Sequence, residues 1–323
     1  MYQELLNLNN ITLNFNSGSG VLLMNIAIGL MMFSVALDLR PEHFRSLLAN
    51  PRIMFAGISS QFILLPLLTF LVVLAFNAWI TPAVAFGMLL VAACPGGNIS
   101  NFITSFSKNN VALGVSLTAV GTVLAMVMTP VNFKIYGMLY DYITPLLCHH
   151  ATDHAYNQDI YVPLVDVTRT VFIILGIPVG LGFACSNYMP HLTAAIKKPL
   201  SYVSGVFFIG FIIVALAGNV EIIKYIKWIF IIVLIHNAVV WIASFCYGKL
   251  WKADLRDCRT ISIETAIQNS GLGLALLLNP SIFPDGGMGG MVLVVAWWGI
   301  WHFIAGGAIG AWWRFVKPLL KSP

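Results

Sequence analysis

Ile261-Ser262-Ile263-Glu264-Thr265-Ala266-Ile267-Gln268-Asn269-Ser270-Gly271 decides how this chain is read. It opens a segment that otherwise looks like a membrane span, yet it holds a carboxylate, two amides and three hydroxyls. An ionised side chain at the centre of a bilayer costs about 2.5–3.5 kcal/mol even on lenient insertion scales. Glu264 therefore needs partners, a cation or a proton. On a helix, Glu264 and Gln268 stand four residues apart and share a face. Gly271 and Gly273 follow and weaken the helix. A loosened helix frees carbonyl oxygens, which suit a hard cation. Irregular backbone is tolerated at membrane depth only where protein buries it or it lines a cavity. The stretch reads as an ion or substrate site on a broken helix.

A second polar interruption, Cys94-Pro95-Gly96-Gly97-Asn98-Ile99-Ser100-Asn101, breaks the apolar run from Ala83 to Phe106. Pro95 removes a helical hydrogen bond, and its ring clashes with the preceding turn. Interrupted spans in corresponding places of two halves point to a midplane binding site.

The 323 residues are 59% hydrophobic and 9% charged, with mean hydropathy +0.87. Soluble domains carry about 25% charged residues. The chain reads as an all-α polytopic membrane protein whose core forms within the lipid bilayer. Its net charge of +5 comes from basic residues scattered through short loops, which excludes a nucleic-acid surface. The cysteines (94, 148, 185, 246 and 258) lack metal-ligand spacing and read as small hydrophobes. There is no Walker motif and no nucleophile elbow, so neither ATP-driven pumping nor hydrolysis has support.

Nine apolar spans reach the about 20 residues that a bilayer requires. They cover 20–38, 53–76, 81–106, 111–140, 161–186, 199–218, 226–248, 260–281 and 288–313, and the whole chain, 1–323, is one membrane unit. Thirteen of the 17 basic residues fall on one side, among them Arg52, Lys108, Lys252 and Arg314. That side is expected to be cytoplasmic, with the N-terminus outside and the C-terminus inside. Trp79 and Trp228 near outer ends, and Trp251, Trp312 and Trp313 near inner ends, fit an aromatic belt. The broken spans are the third and the eighth. An odd offset makes equivalent helices run in opposite directions, as in an inverted-topology repeat.

These residues carry a resemblance. Cys94 to Asn101, Asn110-Val-Ala-Leu113, Ile261 to Gly271, Trp301-His302, and Phe33 to Pro41 together resemble the bile acid:sodium symporter family over nearly the whole chain. The resemblance implies two broken crossing helices and two domains that move against each other. A core domain would cover about 53–140 and 226–313, and a panel domain about 20–38 and 161–218. Against the ten helices common in bacterial members, nine are expected here, as in the animal carriers. The resemblance implies Na+ as coupling ion, with two ions behind the crossing. One sodium would take Ser100, Asn101, Thr118 and Glu264. The other would take Gln61, Glu264, Gln268 and backbone oxygens near Thr265 and Ile267. Such oxygens suit a hard cation. Where bacterial members can offer a serine hydroxyl to the first ion, this chain has Gly114; water or Ser116 are the possible substitutes. An organic anion, bile acid-like or a smaller carboxylate, would lie on the cavity side against Asn98, Ile99, Asn269 and His302. Half-helix N-termini there suit an anion.

The expectation is a sodium-coupled symporter in the cell's inner (plasma) membrane, working as a monomer, with no enzymatic activity. Proton coupling through Glu264, uncoupled carriage, a channel and an intramembrane enzyme are the alternatives. Asp166 and Arg169 lie three apart and are expected to pair. His149, His150, Asp153, His154 and Asp159 make a loop capable of binding metal, but no closed four-ligand pattern is evident.

Overall fold

Proline decides where several helices begin and where two of them loosen. The structure is a computed structural model that describes residues 1–9, 12–13, 26, 29–34, 36–37, 39–42, 50–147, 163–217, 224–279, 282–283 and 287–316. A short helix, α1 (Tyr2–Asn9), precedes strand β1 (Thr12–Leu13). Helix α2 (Pro51–Ala75) follows, with a proline at its first turn. Its residues Ser60–Leu64 form a π-helical segment. The cause lies in Pro66, which has no N–H for the carbonyl of Phe62. Asn132 satisfies that carbonyl, donating from Nδ2 at 2.9 Å.

Helix α3 (Pro82–Ala93) is buried on every side, and α4 (Asn98–Phe106) continues beyond a break. Helix α5 (Val111–Leu147) is 37 residues long. Helix α6 (Leu164–Tyr188) repeats the π-helical device, over Phe172–Gly176 ahead of Pro178. Helices α7 (Pro190–Ala217), α8 (Ile226–Leu250), α9 (Leu255–Ala266) and α10 (Ser270–Leu277) follow. Strand β2 (Gly287–Met288) pairs antiparallel with β1 and leads into α11 (Gly289–Val316).

Helices α2, α5, α6, α8 and α11 are each long and apolar enough to cross a membrane. The pairs α3–α4 and α9–α10 have halves of 12 and 9, and 12 and 8, residues. Neither half alone reaches the about 20 residues needed, so each pair shares one span. The outer faces are greasy: Ile63, Leu67 and Leu71 of α2, and Ile177 and Leu181 of α6, stand exposed. The chain is an all-α polytopic membrane protein, and the two-residue strand pair does not change that class.

One end of the bundle gathers the α2 start, the α8 end and the α9 start. Arg52 Nη2 donates to the Lys252 carbonyl at 3.0 Å, and Phe55 meets Trp251 with ring centroids 5.4 Å apart. Asn110, before α5, caps Leu113 and donates to Asp257 Oδ1 at 2.7 Å. The opposite end holds α1. Its Leu5 and Leu8 are fully buried, and Glu4 Oε2 accepts from Trp228 Nε1 at 2.7 Å.

Several expected boundaries shift. The sixth long helix, α7, starts at Pro190 rather than at 199, and α5 continues to Leu147 rather than 140. Helix α9 starts at Leu255, because Asp254 caps it by accepting from the Asp257 N–H at 2.7 Å. Among the described residues Asp166 and Arg169 make no ion pair, contrary to expectation. The cysteines 94, 185, 246 and 258 are free thiols; 94 and 258 are buried as expected of small hydrophobes, but 185 is half-buried and 246 exposed. Cys148 and the histidine-bearing loop at 149–159 lie outside the described residues, as does most of the first span.

Candidate functional site

The two helix breaks cross. Cys94 to Gly97 and Ile267 to Asn269 leave helical geometry, and Gly96 bridges Gln268 in antiparallel fashion. The Gly97 N–H donates to the Ile267 carbonyl at 3.1 Å, and the Asn269 N–H to the Pro95 carbonyl at 2.8 Å. Each break thus satisfies backbone groups freed in the other, as membrane depth demands. Glycine is required for this approach. A β-carbon at Gly96 would lie 3.1 Å from the Glu264 carbonyl oxygen, and one at Gly97 3.2 Å from that of Gln268. The N-termini of α4 and α10 and the C-termini of α3 and α9 all end here, so both signs of half-helix dipole meet at one place.

Glu264, in the last turn of α9, is fully buried. Its Oε2 accepts from Thr118 Oγ1 at 2.8 Å, and Thr118 Oγ1 accepts from Asn101 Nδ2 at 3.1 Å. Ser100 donates to the Gly97 carbonyl at 2.6 Å and also lies against the Glu264 carboxylate. Two oxygens are left over: Glu264 Oε1 and Asn101 Oδ1 have no hydrogen-bond partner. A β-carbon at Gly114 would stand 3.4 Å and 3.3 Å from them, respectively. The residues expected around the first sodium are therefore brought together, with two bare acceptors facing the same small space. Buried acceptors without partners are rare and call for a ligand, and a cation fits what these atoms lack. Ser116 is two residues beyond Gly114, so it lies on another face of α5.

The second group surrounds Gln61, in the π-helical segment of α2. Both carboxamide atoms of Gln61 are buried without a partner, as is Gln268 Oε1. The position of a β-carbon on Gly96 is 3.5 Å from Gln61 Nε2 and 3.2 Å from Glu264 Oε2, which sets Gln61 beside the shared carboxylate. Gln268 Nε2 donates to the Thr265 carbonyl at 2.5 Å, and Thr265 Oγ1 meets Ser60 Oγ at 2.8 Å. The Ile267 carbonyl already accepts from Gly97, so it has one lone pair left to give an ion.

The residues expected on the substrate side meet less completely. Asn269 caps α10, accepting from the Leu272 N–H at 3.0 Å, and its Nδ2 reaches Met32 Sδ at 3.5 Å. Ile99 packs with Ile103, Ile263 and Ile267. His302 is 2% exposed, and neither ring nitrogen has a partner. It sits one turn before Gly306, whose missing β-carbon faces Ile267 and Ile103. The side chain of Asn98 lies outside the described part.

Three contributors were not picked out from the sequence. Asn237 donates to the Ala266 carbonyl at 3.0 Å and so caps α9 at the break. Asn132 relieves the π-helical segment that carries Gln61. Gly121 makes room for Gln61, since a β-carbon there would lie 2.9 Å from Oε1. Both asparagines are amides inside apolar spans, a signal that fits an interhelical hydrogen bond; Gln61 was reached through the resemblance.

Comparison with known proteins places residues 25–226 under the description Sodium Bile acid symporter family. The chain is 27% identical to the uncharacterized sodium-dependent transporter YocS of Bacillus subtilis (strain 168), over 90% of this chain and 82% of that protein. It is 28% identical to the probable sodium/metabolite cotransporter BASS2, chloroplastic, of Oryza sativa subsp. japonica, over 85% of this chain and 64% of that protein. It is 27% identical to the ileal sodium/bile acid cotransporter of Oryctolagus cuniculus, over 80% of this chain and 71% of that protein.

Proposed function

The chain belongs to the sodium bile acid symporter family, and on that premise we propose that it imports an organic anion together with sodium by alternating access. Its relatives' names are those of sodium-dependent transporters, which supports transport rather than catalysis. The observation that carries the sodium reading is the pair of unpartnered oxygens, Glu264 Oε1 and Asn101 Oδ1, buried beside Gly114. Oxygens of a carboxylate and an amide are hard ligands that suit Na+.

We assign the first ion to Ser100, Asn101, Thr118 and Glu264. The second falls to Gln61, Glu264, Gln268 and the carbonyls at Thr265 and Ile267. Sharing Glu264 makes the two ions interdependent. The substrate anion would meet Asn98, Ile99, Asn269 and His302, where the positive ends of α4 and α10 emerge. Nine spans form an inverted repeat, in which 53–140 and 226–313 move as a core against a panel of 20–38 and 161–218. The N-terminus faces outside and the end that carries Arg52 and Lys252 faces the cytoplasm, as basic loops require.

The test is uptake of labelled organic anions into liposomes under imposed sodium or proton gradients. Sodium-driven uptake by the unaltered protein, abolished in Glu264→Gln with insertion intact, is the expected result. Uptake driven by a proton gradient alone would replace sodium with a proton at Glu264. Uptake needing no gradient would leave a passive carrier or pore.

A further inference from the structure

Away from the crossing, a cavity of about 500 Å³ lies between α6 and the end of α10. Asp166, Arg169, Thr170, Ile173, Ile174 and Ile177 line it at helical spacing, so one face of α6 forms its wall. Gly29 of the first span and Asn279, just past α10, also line it. Thr170 and Asn279 tie the two sides together, the Asn279 Nδ2 donating to Thr170 Oγ1 at 3.5 Å. The cavity is at the end of α9–α10 opposite Lys252. Small-ligand sites commonly enclose about 300–1,000 Å³, mostly apolar with a few placed polar groups, and this cavity matches on both counts.

Its charges are unspent. Arg169 makes no ion pair among the described residues, not even with Asp166 one turn earlier. The guanidinium fork suits a carboxylate held by two parallel hydrogen bonds. An ionised Asp166 accepts hydrogen bonds only, so it selects a donor. Ile173, Ile174 and Ile177 offer apolar surface to the rest of a ligand. We propose that this cavity is a first binding station for the transported anion, reached before the crossing. It takes an amphipathic carboxylate whose acid group meets Arg169, whose hydroxyl or amide N–H meets Asp166, and whose apolar body lies on the isoleucines. The proposal rests on the transport reading above and names a substrate class for it.

The test uses the full chain in nanodiscs and radiolabelled cholate, a hydroxylated amphipathic carboxylate, below its micellar concentration. Binding is measured by equilibrium dialysis without sodium, so that the sodium positions are not engaged. The unaltered protein and Gly180→Ala, a change on α6 that meets nothing within 4 Å, are expected to bind cholate equally. Arg169→Gln is expected to weaken binding about tenfold, the loss typical of a charge-assisted hydrogen bond. Ile173→Trp, which fills the cavity without touching a charge, is expected to weaken it as well. Uncharged cholate methyl ester should bind no better to the unaltered protein than to Arg169→Gln. Failure of the unaltered protein to bind cholate overturns the proposal. So does equal binding by Arg169→Gln and Ile173→Trp, even where sodium-driven uptake is intact. Binding that depends on Arg169 in a protein without sodium-driven uptake keeps the cavity and removes the transport reading.

Discussion

Gly121 stands so close to Gln61 that a β-carbon would lie 2.9 Å from Gln61 Oε1, with the carboxamide carbon 4.0 Å away. The glycine on α5 fixes where an amide on α2 rests. A methyl group there would strike only the far end of a flexible side chain, so the helices need not part. Gly121→Ala is expected to raise the sodium concentration for half-maximal uptake. The melting temperature without sodium should hold or rise slightly, since alanine is better in a helix by about 0.5–1 kcal/mol. Unchanged sodium dependence would remove Gln61 from the ligands of the second ion.

Gly87 is a contrasting case, because its neighbours are backbone. A β-carbon would lie 2.9 Å from Met291 Cα and 3.0 Å from the Met291 carbonyl oxygen, where α3 packs on α11. Neither atom can swing aside. Gly87→Ala is expected to destabilise the protein by about 1–3 kcal/mol, as overpacking does. Gly180→Ala on α6, with nothing within 4 Å, is the control and should hold or gain stability by about 0.5–1 kcal/mol. Thermal unfolding of the two variants in one detergent compares them directly.

The N-terminal helix should detach in acid. Glu4 accepts from Trp228 and lies 3.4 Å from Lys227 Nζ. The Trp228 bond, helped by Lys227, holds the Glu4 carboxyl below its usual value of 4.5. A carboxylate lowered by folding contributes stability that is present above its unfolded value and lost as pH falls through the folded one. A nitroxide at position 7, on a cysteine-free background, should be immobile at neutral pH and gain mobility below the unfolded value. Glu4→Gln should be equally mobile at both. A label that stays immobile in acid would show that Leu5 and Leu8 alone hold α1.

Composition and two polar interruptions made the membrane class and both helix breaks legible. Glu264 was legible because a charged side chain in an apolar span must be satisfied, whereas the ligand roles of Gln61, Asn101 and Thr118 came from the family resemblance. The π-helical segment of α2 was not, because it depends on which distant amide reaches the carbonyl freed by a proline. Asn132 is 70 residues from Phe62. Helix α1 was missed because a polar opening hides the two leucines that bury it. The Asp166–Arg169 pairing failed for a different reason. Spacing of i,i+3 permits an ion pair but does not make one, and exposed pairs gain little.

Gly114 carries the sharpest test of the first ion site. Thr118 already donates to Glu264 Oε2, Oε1 is the carboxylate oxygen without a hydrogen-bond partner, and Gly114 faces it. A serine there would place its β-carbon 3.3 Å from Asn101 Oδ1 and 3.4 Å from Thr104 Cγ2, tight contacts against side chains that can give slightly. Its hydroxyl would add one oxygen where two are bare. Gly114→Ser is expected to lower the sodium concentration for half-maximal uptake about threefold, the worth of one modest polar contact. Thr118→Ala should raise it, since it strips Glu264 Oε2 and Asn101 Nδ2 of their shared partner. The serine can also bond Glu264 directly and compete with the ion, which would raise the sodium requirement instead. Melting each variant with and without sodium separates these effects, because only the sodium-dependent part reports ion binding. A Gly114→Ser protein with unaltered sodium dependence, beside a Thr118→Ala protein that has lost it, would leave the site in place and turn position 114 away from the ion. No effect from either change would remove the first ion from this crossing.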